Sequence, residues 1–236
     1  MFPPILIFNP NLSKQVLSYR THNKEALAFN AQRLNAAGWS IPFDSAFTLT
    51  DVTHSCCKKF ATNELHINGI VSFAARQYWS ATRDLDWLLN ESGNELINKI
   101  AEFWDSKMTF SDLKSQFEIL NVIPPDENVP TINNSVFTNI IASMSIFLAD
   151  YSNCLANKSN KVDRRLLNKA RCIFIPYDQS QQYHLEYENY NHGVGSKIDV
   201  VLLGFPLMWP MDHEMRKKDL WFYEGKLNKN HLPNLA

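Results

Sequence analysis

Residues 124–139 read P-P-D-E-N-V-P-T-I-N-N-S-V-F-T-N. Pro124, Pro125 and Pro130 keep the first half of this stretch out of any helix. Asn134 or Ser135 then offers an N-cap to a long apolar run that reaches about Leu155. Just upstream, Gln116 to Val122 has the character of a short extended piece. The expected order is therefore extended segment, loop and capped helix, and the loop presents two adjacent carboxylates, Asp126 and Glu127. A loop fixed by the helix behind it can hold an acid toward a pocket. Most Asp-Glu pairs in loops are solvated surface instead, so the dipeptide alone carries little.

On either side of this stretch the chain keeps helical spacing. Asn11 can cap a helix through about Arg20, and Lys24 to Ala36 places Leu27, Ala28, Ala31 and Leu34 on one face before Gly38 stops it. These two pair as an antiparallel hairpin. Glu64 to Thr82 repeats Leu65, Ile67, Ile70, Val71, Ala74 and Tyr78, and Asp84–Asn90 and Asn94–Ser106 follow as two helices separated by Gly93. Beyond the long helix, Arg164–Arg171, Ile198–Gly204 and Asp212–Glu224 are helical, with Pro206 and Pro210 breaking the chain between the last two. Periodicity thus predicts an all-α domain. No repeat, low-complexity tract or linker interrupts it.

The 236 residues are 45% hydrophobic and 20% charged, enough to bury a core. A formal charge of −1 supplies no basic field for nucleic acid or an anionic membrane, whereas neutral sugars suit it. The cysteines Cys56, Cys57, Cys154 and Cys172 lack metal spacing, and an adjacent pair is a poor staple, so free thiols are expected. The apolar N-terminus has no basic leader and is interrupted by Pro3, Pro4 and Pro10, and no window has the length of a membrane span. With no targeting signal visible, a cytoplasmic location is the default and the compartment stays open. N-x-S sequons stand at Asn11, Asn90, Asn133 and Asn157. His66 with Glu64, and His184 with Glu186 and Glu188, suggest ligands, but i, i+2 spacing turns them to different helical faces and no metal is expected. The aromatics between Tyr177 and Tyr190 could stack on sugars, and packing is the more ordinary use for them.

The stretch 124–139 resembles the general-acid motif of glycoside hydrolase family sixty-five, G/S-P-D-E-Y-H-x-G-x-N-N-S-x-Y-T-N. Residues 197–206, K-I-D-V-V-L-L-G-F-P, look like that family's K-Q-A-D-V-V-L-L-G-Y-P. Glu64–Val71 (E-L-H-I-N-G-I-V) and Ile175–Gly193 match its texture, and the resemblance runs to about Glu224. It is closest to the glucosidase branch acting on glucosyl-galactosyl-hydroxylysine, with acid trehalases and disaccharide phosphorylases further off.

The resemblance implies an (α/α)6 barrel, of which this chain has too few helices for a complete ring. Residues 1–236 are then part of a catalytic barrel domain, with an N-terminal β-sandwich and the C-terminal part of the barrel outside the chain. By the same resemblance Glu127 is the general acid, needing a pKa raised by burial, and Asp126 shapes its loop. Phe43 and Asp44 stand where relatives have a Trp-Glu pair, Ser196 and Lys197 where they have Lys-Gln, and Asn128 and Val129 where they have Tyr-His. Asn133, inside the motif, is structural.

Inverting hydrolysis needs a second carboxylate, roughly 6.5–9.5 Å from the acid, to activate water. The family's base lies downstream of the L-L-G-Y-P block, in a stretch without a counterpart before Ala236. Two readings follow. One is an α-glucosidase-type hydrolase that releases glucose from a glucosyl disaccharide by inversion, acting on a small carbohydrate or glycosylated hydroxylysine without a cofactor, nucleic acid or membrane. The other is an inactive fragment or degenerate paralogue that binds sugar or another protein. For the chain taken by itself, the missing base favours the second.

Overall fold

The computed structural model describes residues 2–156, 162–190 and 198–225. The chain opens with α1 (Phe2–Phe8), α2 (Pro10–His22) and α3 (Lys24–Arg33), continues through a 3-10 turn (Ser55–Cys57) into α4 (Lys58–Asn63), and then forms α5 (His66–Thr82), α6 (Leu85–Leu89) and α7 (Gly93–Lys107). A hairpin of β1 (Thr109–Ser111) and β2 (Gln116–Glu118) precedes α8 (Val136–Leu155) and α9 (Arg164–Arg171). A second hairpin, β3 (Tyr177–Asp178) and β4 (Tyr183–His184), leads to α10 (Val200–Gly204) and α11 (His213–Glu224). Both hairpins are antiparallel, with Phe110 opposite Phe117 and Tyr177 opposite His184. Helices dominate, as the periodicity predicts.

α8 is buried along most of its length because its sequence is apolar on nearly every side, the pattern of a helix enclosed by others. Ser135 caps it, its hydroxyl accepting the Thr138 N–H at 3.3 Å, a contact that typically stabilises a helix by about 1 kcal/mol. α5 and α7 pack against α8 and against each other. The α5–α8 approach is set by Gly69, where a Cβ would stand 2.5 Å from Ile141 Cγ2. α7 buries Leu96, Ile97, Ile100, Phe103 and Trp104. Its Asn94 and Asn98 donate to Asn153 Oδ1 on α8 at 2.8 and 2.9 Å, satisfying amides that would be costly to bury alone. α2 packs on both α5 and α7, and Asn9 caps it with Pro10 in its first turn. On the far side, Lys169 and Arg165 of α9 reach Asp105 of α7 at 2.5 and 2.8 Å.

Several expected boundaries shift. Gly93 does not separate two helices; it is the first residue of α7, where a Cβ would meet the Trp87 carbonyl oxygen at 2.8 Å. α3 ends at Arg33 rather than Ala36, and the chain turns through Asn35 and Gly38 with φ of 51° and 67°. The extended piece predicted over Gln116–Val122 is β2 followed by a single bridge from Val122 to Ile132. No described helix is long and apolar enough to cross a membrane.

Candidate active site

The loop between β2 and α8 is built as a closed projection. Val122 and Ile132 exchange backbone hydrogen bonds at 2.8 Å each, clamping its base. On one flank Asn63, the last residue of α4, accepts the Ile123 N–H at 2.9 Å through its carbonyl and donates to the Asn121 carbonyl at 2.7 Å. At the tip, Val129 N–H returns to the Asp126 carbonyl at 3.0 Å, so Glu127 and Asn128 occupy the centre of a tight turn. Glu127 is exposed there, while Asp126 beside it is 1% exposed.

Asp126 holds the turn from inside. Its Oδ1 accepts from the Asn128 N–H at 3.2 Å and from the Asn128 amide at 3.1 Å, the Asx arrangement that favours such turns. Its own N–H donates to Asp199 Oδ2 at 3.3 Å. Asp199, 3% exposed, is anchored in turn by Glu186, whose Oε2 accepts the N–H groups of Asp199 and Val200 at 3.0 and 3.2 Å. A buried relay thus runs from Glu186 through Asp199 to the backbone of the loop. Burial first, then the Asp199 charge and more weakly that of Asp126, push the Glu186 carboxyl well above the usual glutamate range, against the two N–H bonds that favour its ionised form. The buried acid is therefore Glu186, and Glu127, for which a pKa raised by burial is expected, lies at the surface of the described chain.

The motif asparagines and Ser135 form the other side of the support. Asn134 has φ of 52° and is fully buried. Its Oδ1 accepts from Ile119 N–H at 3.2 Å and from Asn139 at 3.1 Å, and its amide donates to Glu118 and Glu188, each at 2.8 Å. Lys114 closes the network on Glu118 at 2.5 Å and Glu188 at 2.6 Å. Burial raises the Glu118 pKa, but the bonds from Lys114 and Asn134 outweigh it and hold the carboxyl below its ordinary range. Asn133 Oδ1 accepts the Asn121 N–H at 3.0 Å, a structural use.

Phe43 and Asp44 are exposed, on a segment pinned from below. Asn68 of α5 accepts the Ile41 N–H at 2.8 Å, and Asn30 of α3 donates to the Leu49 carbonyl at 2.9 Å. Phe43 stacks on Phe60 of α4 with centroids 5.6 Å apart. The same short helix therefore touches the Phe43–Asp44 segment through Phe60 and the Glu127 loop through Asn63. Ser196, Lys197, the sequon at Asn157 and the last three residues of 175–193 lie outside the described residues.

The histidines have other partners. His184 Nδ1 meets Asp219 Oδ2 at 2.8 Å in a buried pair. His66, 5% exposed, has its pKa lowered to about 4 by burial, against a backbone hydrogen bond with Ile123, so its 3.9 Å approach to Glu64 is that of a neutral imidazole. Among the described residues no group of three or more His, Cys, Asp or Glu could hold a metal ion. Tyr183 stacks on Phe222 at 3.7 Å, and Tyr187 packs edge-on against Tyr190, so these aromatics serve the core.

Glu186 and Asp199 were not among the site residues expected from sequence. The available signal was Glu186 itself, an acid set among Leu185, Tyr187 and Tyr190 in a run otherwise suited to burial.

Residues 1–200 match the family model for the glycosyl hydrolase family 65 central catalytic domain. The chain is 39% identical over 229 residues to a protein-glucosylgalactosylhydroxylysine glucosidase from Danio rerio, covering 95% of this chain and 34% of that protein. A glucosidase of the same name from Dictyostelium discoideum is 38% identical over 95% of the chain, and a kojibiose hydrolase from Mucilaginibacter mallensis is 32% identical over all of it. The chain spans about a third of the length of these curated relatives. A solved structure of a candidate kojibiose phosphorylase from the human microbiome superposes with a TM-score of 0.82 at 18% identity, over 97% of this chain and 35% of that one, and shares its α/α-barrel-type fold. The chain therefore belongs to glycosyl hydrolase family 65, in the part of it that forms the central catalytic domain.

Proposed function

We propose that this chain carries the general-acid part of an inverting glucosidase that releases glucose from a glucosyl disaccharide, glucosyl-galactosyl-hydroxylysine being the first substrate to test. The observation that supports it is the placement of Glu127 at the exposed tip of a turn whose backbone is held from the interior by Asp126, Asp199 and Glu186. An exposed carboxyl on a turn held by a rigid, buried base is the kind of mounting that positioned acid catalysis requires. The curated relatives named above are glucosidases and a hydrolase, which favours this reading over an inactive binding module.

In this assignment Glu127 protonates the leaving oxygen, while Asp126 sets the turn. Phe43 and Asp44 contact the sugar from the neighbouring segment, and Ser196 and Lys197 supply further substrate contacts. Asp126 and Asp199 are committed to backbone N–H groups and buried, so neither is available to activate water. The water-activating carboxylate is a different residue, and none in this chain is assigned to it.

The test is glucose release from glucosyl-galactosyl-hydroxylysine, kojibiose and trehalose by the longest natural form of the protein, with Glu127→Gln as control and proton NMR to identify the first anomer formed. Release that the substitution abolishes, with inverted configuration at the anomeric carbon, supports the proposal. A folded, monodisperse wild-type sample that releases glucose no faster than the Glu127→Gln control, or with retained configuration, overturns it.

A further inference from the structure

Outside the candidate site, Cys56 and Cys57 form a cluster that no step above uses. All four cysteines are free, but only this pair has a second sulfur at hand: Cys56 Sγ and Cys57 Sγ are 2.7 Å apart, within about an ångström of the ~2.05 Å of a disulfide. His54 completes the group. Its Nδ1 lies 3.2 Å from Cys56 Sγ and accepts the Cys56 N–H at 3.4 Å, which places the ring lone pair on the nitrogen facing the thiol. Cys56 is exposed and Cys57 half-buried, so a small oxidant can reach both.

We propose that Cys56 and Cys57 are a redox-modification site, a vicinal dithiol that a low-molecular-weight disulfide such as oxidised glutathione converts to a Cys56–Cys57 disulfide, with His54 accepting the proton of the attacking Cys56 thiol. The Cys56 sulfur attacks one sulfur of the oxidant, forming a mixed disulfide. One glutathione thiolate leaves and takes up the proton held by His54. The Cys57 thiol then attacks the Cys56 sulfur, gives up its proton, and expels the second glutathione as a thiol. Two protein thiols and one glutathione disulfide become one protein disulfide and two glutathione thiols, a two-electron oxidation of the protein.

The order of attack follows from the pair itself. The hydrogen bond to Cys56 raises the Cys57 pKa, followed by smaller contributions from burial and the Cys56 charge, so Cys57 keeps its proton while Cys56 reacts. Adjacent Cα atoms are about 3.8 Å apart, below the ~4.4–6.8 Å that ordinary disulfides span, so the closed ring is strained. Strained, exposed disulfides are the easily reduced ones, which makes this bond reversible rather than a staple. The pair directly precedes α4, whose Phe60 stacks on Phe43, and it lies within the electrostatic reach of Asp44.

The experiment treats the full chain with oxidised glutathione and follows intact mass and cysteine-containing peptides over time. Exposed Cys154 and Cys172 serve as internal single-thiol references. The expected product lacks two hydrogens, carries no glutathione at positions 56 and 57, and returns to the dithiol with mild reductant. Cys57→Ser should stop at a glutathione adduct on Cys56. His54→Gln should slow the first step by about tenfold or more while leaving the product unchanged. A wild-type chain that accumulates a lasting adduct on Cys56, or whose Cys56–Cys57 pair reacts no faster than Cys154 and Cys172, overturns the site. An unchanged rate in His54→Gln overturns the role of His54.

Discussion

Replacing Asn134 by alanine removes four hydrogen bonds at once, and their separate costs can be weighed. The Ile119 N–H, on a residue with no exposure, loses its side-chain acceptor, which costs about 1–3 kcal/mol for a buried donor left unpaired. The bonds to Glu118 and Glu188 are to charged acceptors, about 1.5–3 kcal/mol each at full value, but both carboxylates keep Lys114 and remain partly solvated. Their loss is worth the low end of that range or less. Alanine must also adopt φ near 52°, a left-handed conformation that costs it about 1–2 kcal/mol and asparagine less. The total expected loss is about 4 kcal/mol, a large part of the 5–15 kcal/mol typical of a folded domain. Asn134→Gly separates the two contributions, since it loses the same bonds without the backbone penalty and should be more stable than the alanine variant by about 1 kcal/mol. Asn134→Asp should be worse than either at neutral pH, because it places a third carboxylate between Glu118 and Glu188. Urea unfolding followed by helical circular dichroism gives all three values. A loss below about 1 kcal/mol in Asn134→Ala, or a glycine variant no more stable than the alanine one, would refute this reasoning.

Three other outcomes are expected. His66 is held neutral in the fold down to about pH 4, whereas in the unfolded chain it takes a proton near 6.5. Stability relative to His66→Gln should therefore fall as pH drops through that window, by about 3 kcal/mol at its lower end, as read from paired urea curves. Glu186 behaves oppositely. Its folded pKa is raised, so the unfolded state releases its proton first as pH climbs above about 4.5, and the stability of wild type relative to Glu186→Gln should decline from pH 4 to 7.5. A difference that instead grows with pH would show Glu186 ionised in the fold. Gly69→Ala gains helix propensity of up to about 1 kcal/mol but drives a Cβ into the branched Ile141 side chain, so a net loss of about 1–2 kcal/mol is expected, and the same substitution should cost little when made in an Ile141→Ala background, as a double-mutant cycle reads it.

Sequence makes legible the helices whose burial face repeats over several turns, α2, α3, α5, α7 and α8, and their capping and breaking residues also place the shorter α6, α9, α10 and α11. α4 escaped because six residues hold too little pattern, and α1 because Pro3 and Pro4 read as breakers although proline is tolerated in a first turn. β1 was missed because three residues hold too little pattern, and the contacts that fix its partner β2 from the other side are distant in sequence: the Phe117 N–H donates to the Cys172 carbonyl at 2.9 Å, and the Phe174 N–H to the Phe117 carbonyl at 2.7 Å. The Glu127 loop was legible through its prolines, the acid pair and the capped helix behind it. Its support was not, because Asp199 lies 73 residues from Asp126 and no local pattern joins them. The same limit applies to Asn63 and Phe60, whose roles appear only when α4 is placed between two loops.

Glu127 as general acid makes a demand that no purely structural role shares: its loss should matter only where the leaving group needs a proton. In the longest natural form of the protein that hydrolyses a glucosyl disaccharide, rates for wild type and Glu127→Gln should be compared on that disaccharide and on α-glucosyl fluoride, whose leaving group departs as an anion. The disaccharide rate should fall by roughly 10²–10⁴-fold and the fluoride rate by far less. Equal losses on both substrates, or disaccharide hydrolysis that survives the substitution, would contradict the assignment of Glu127.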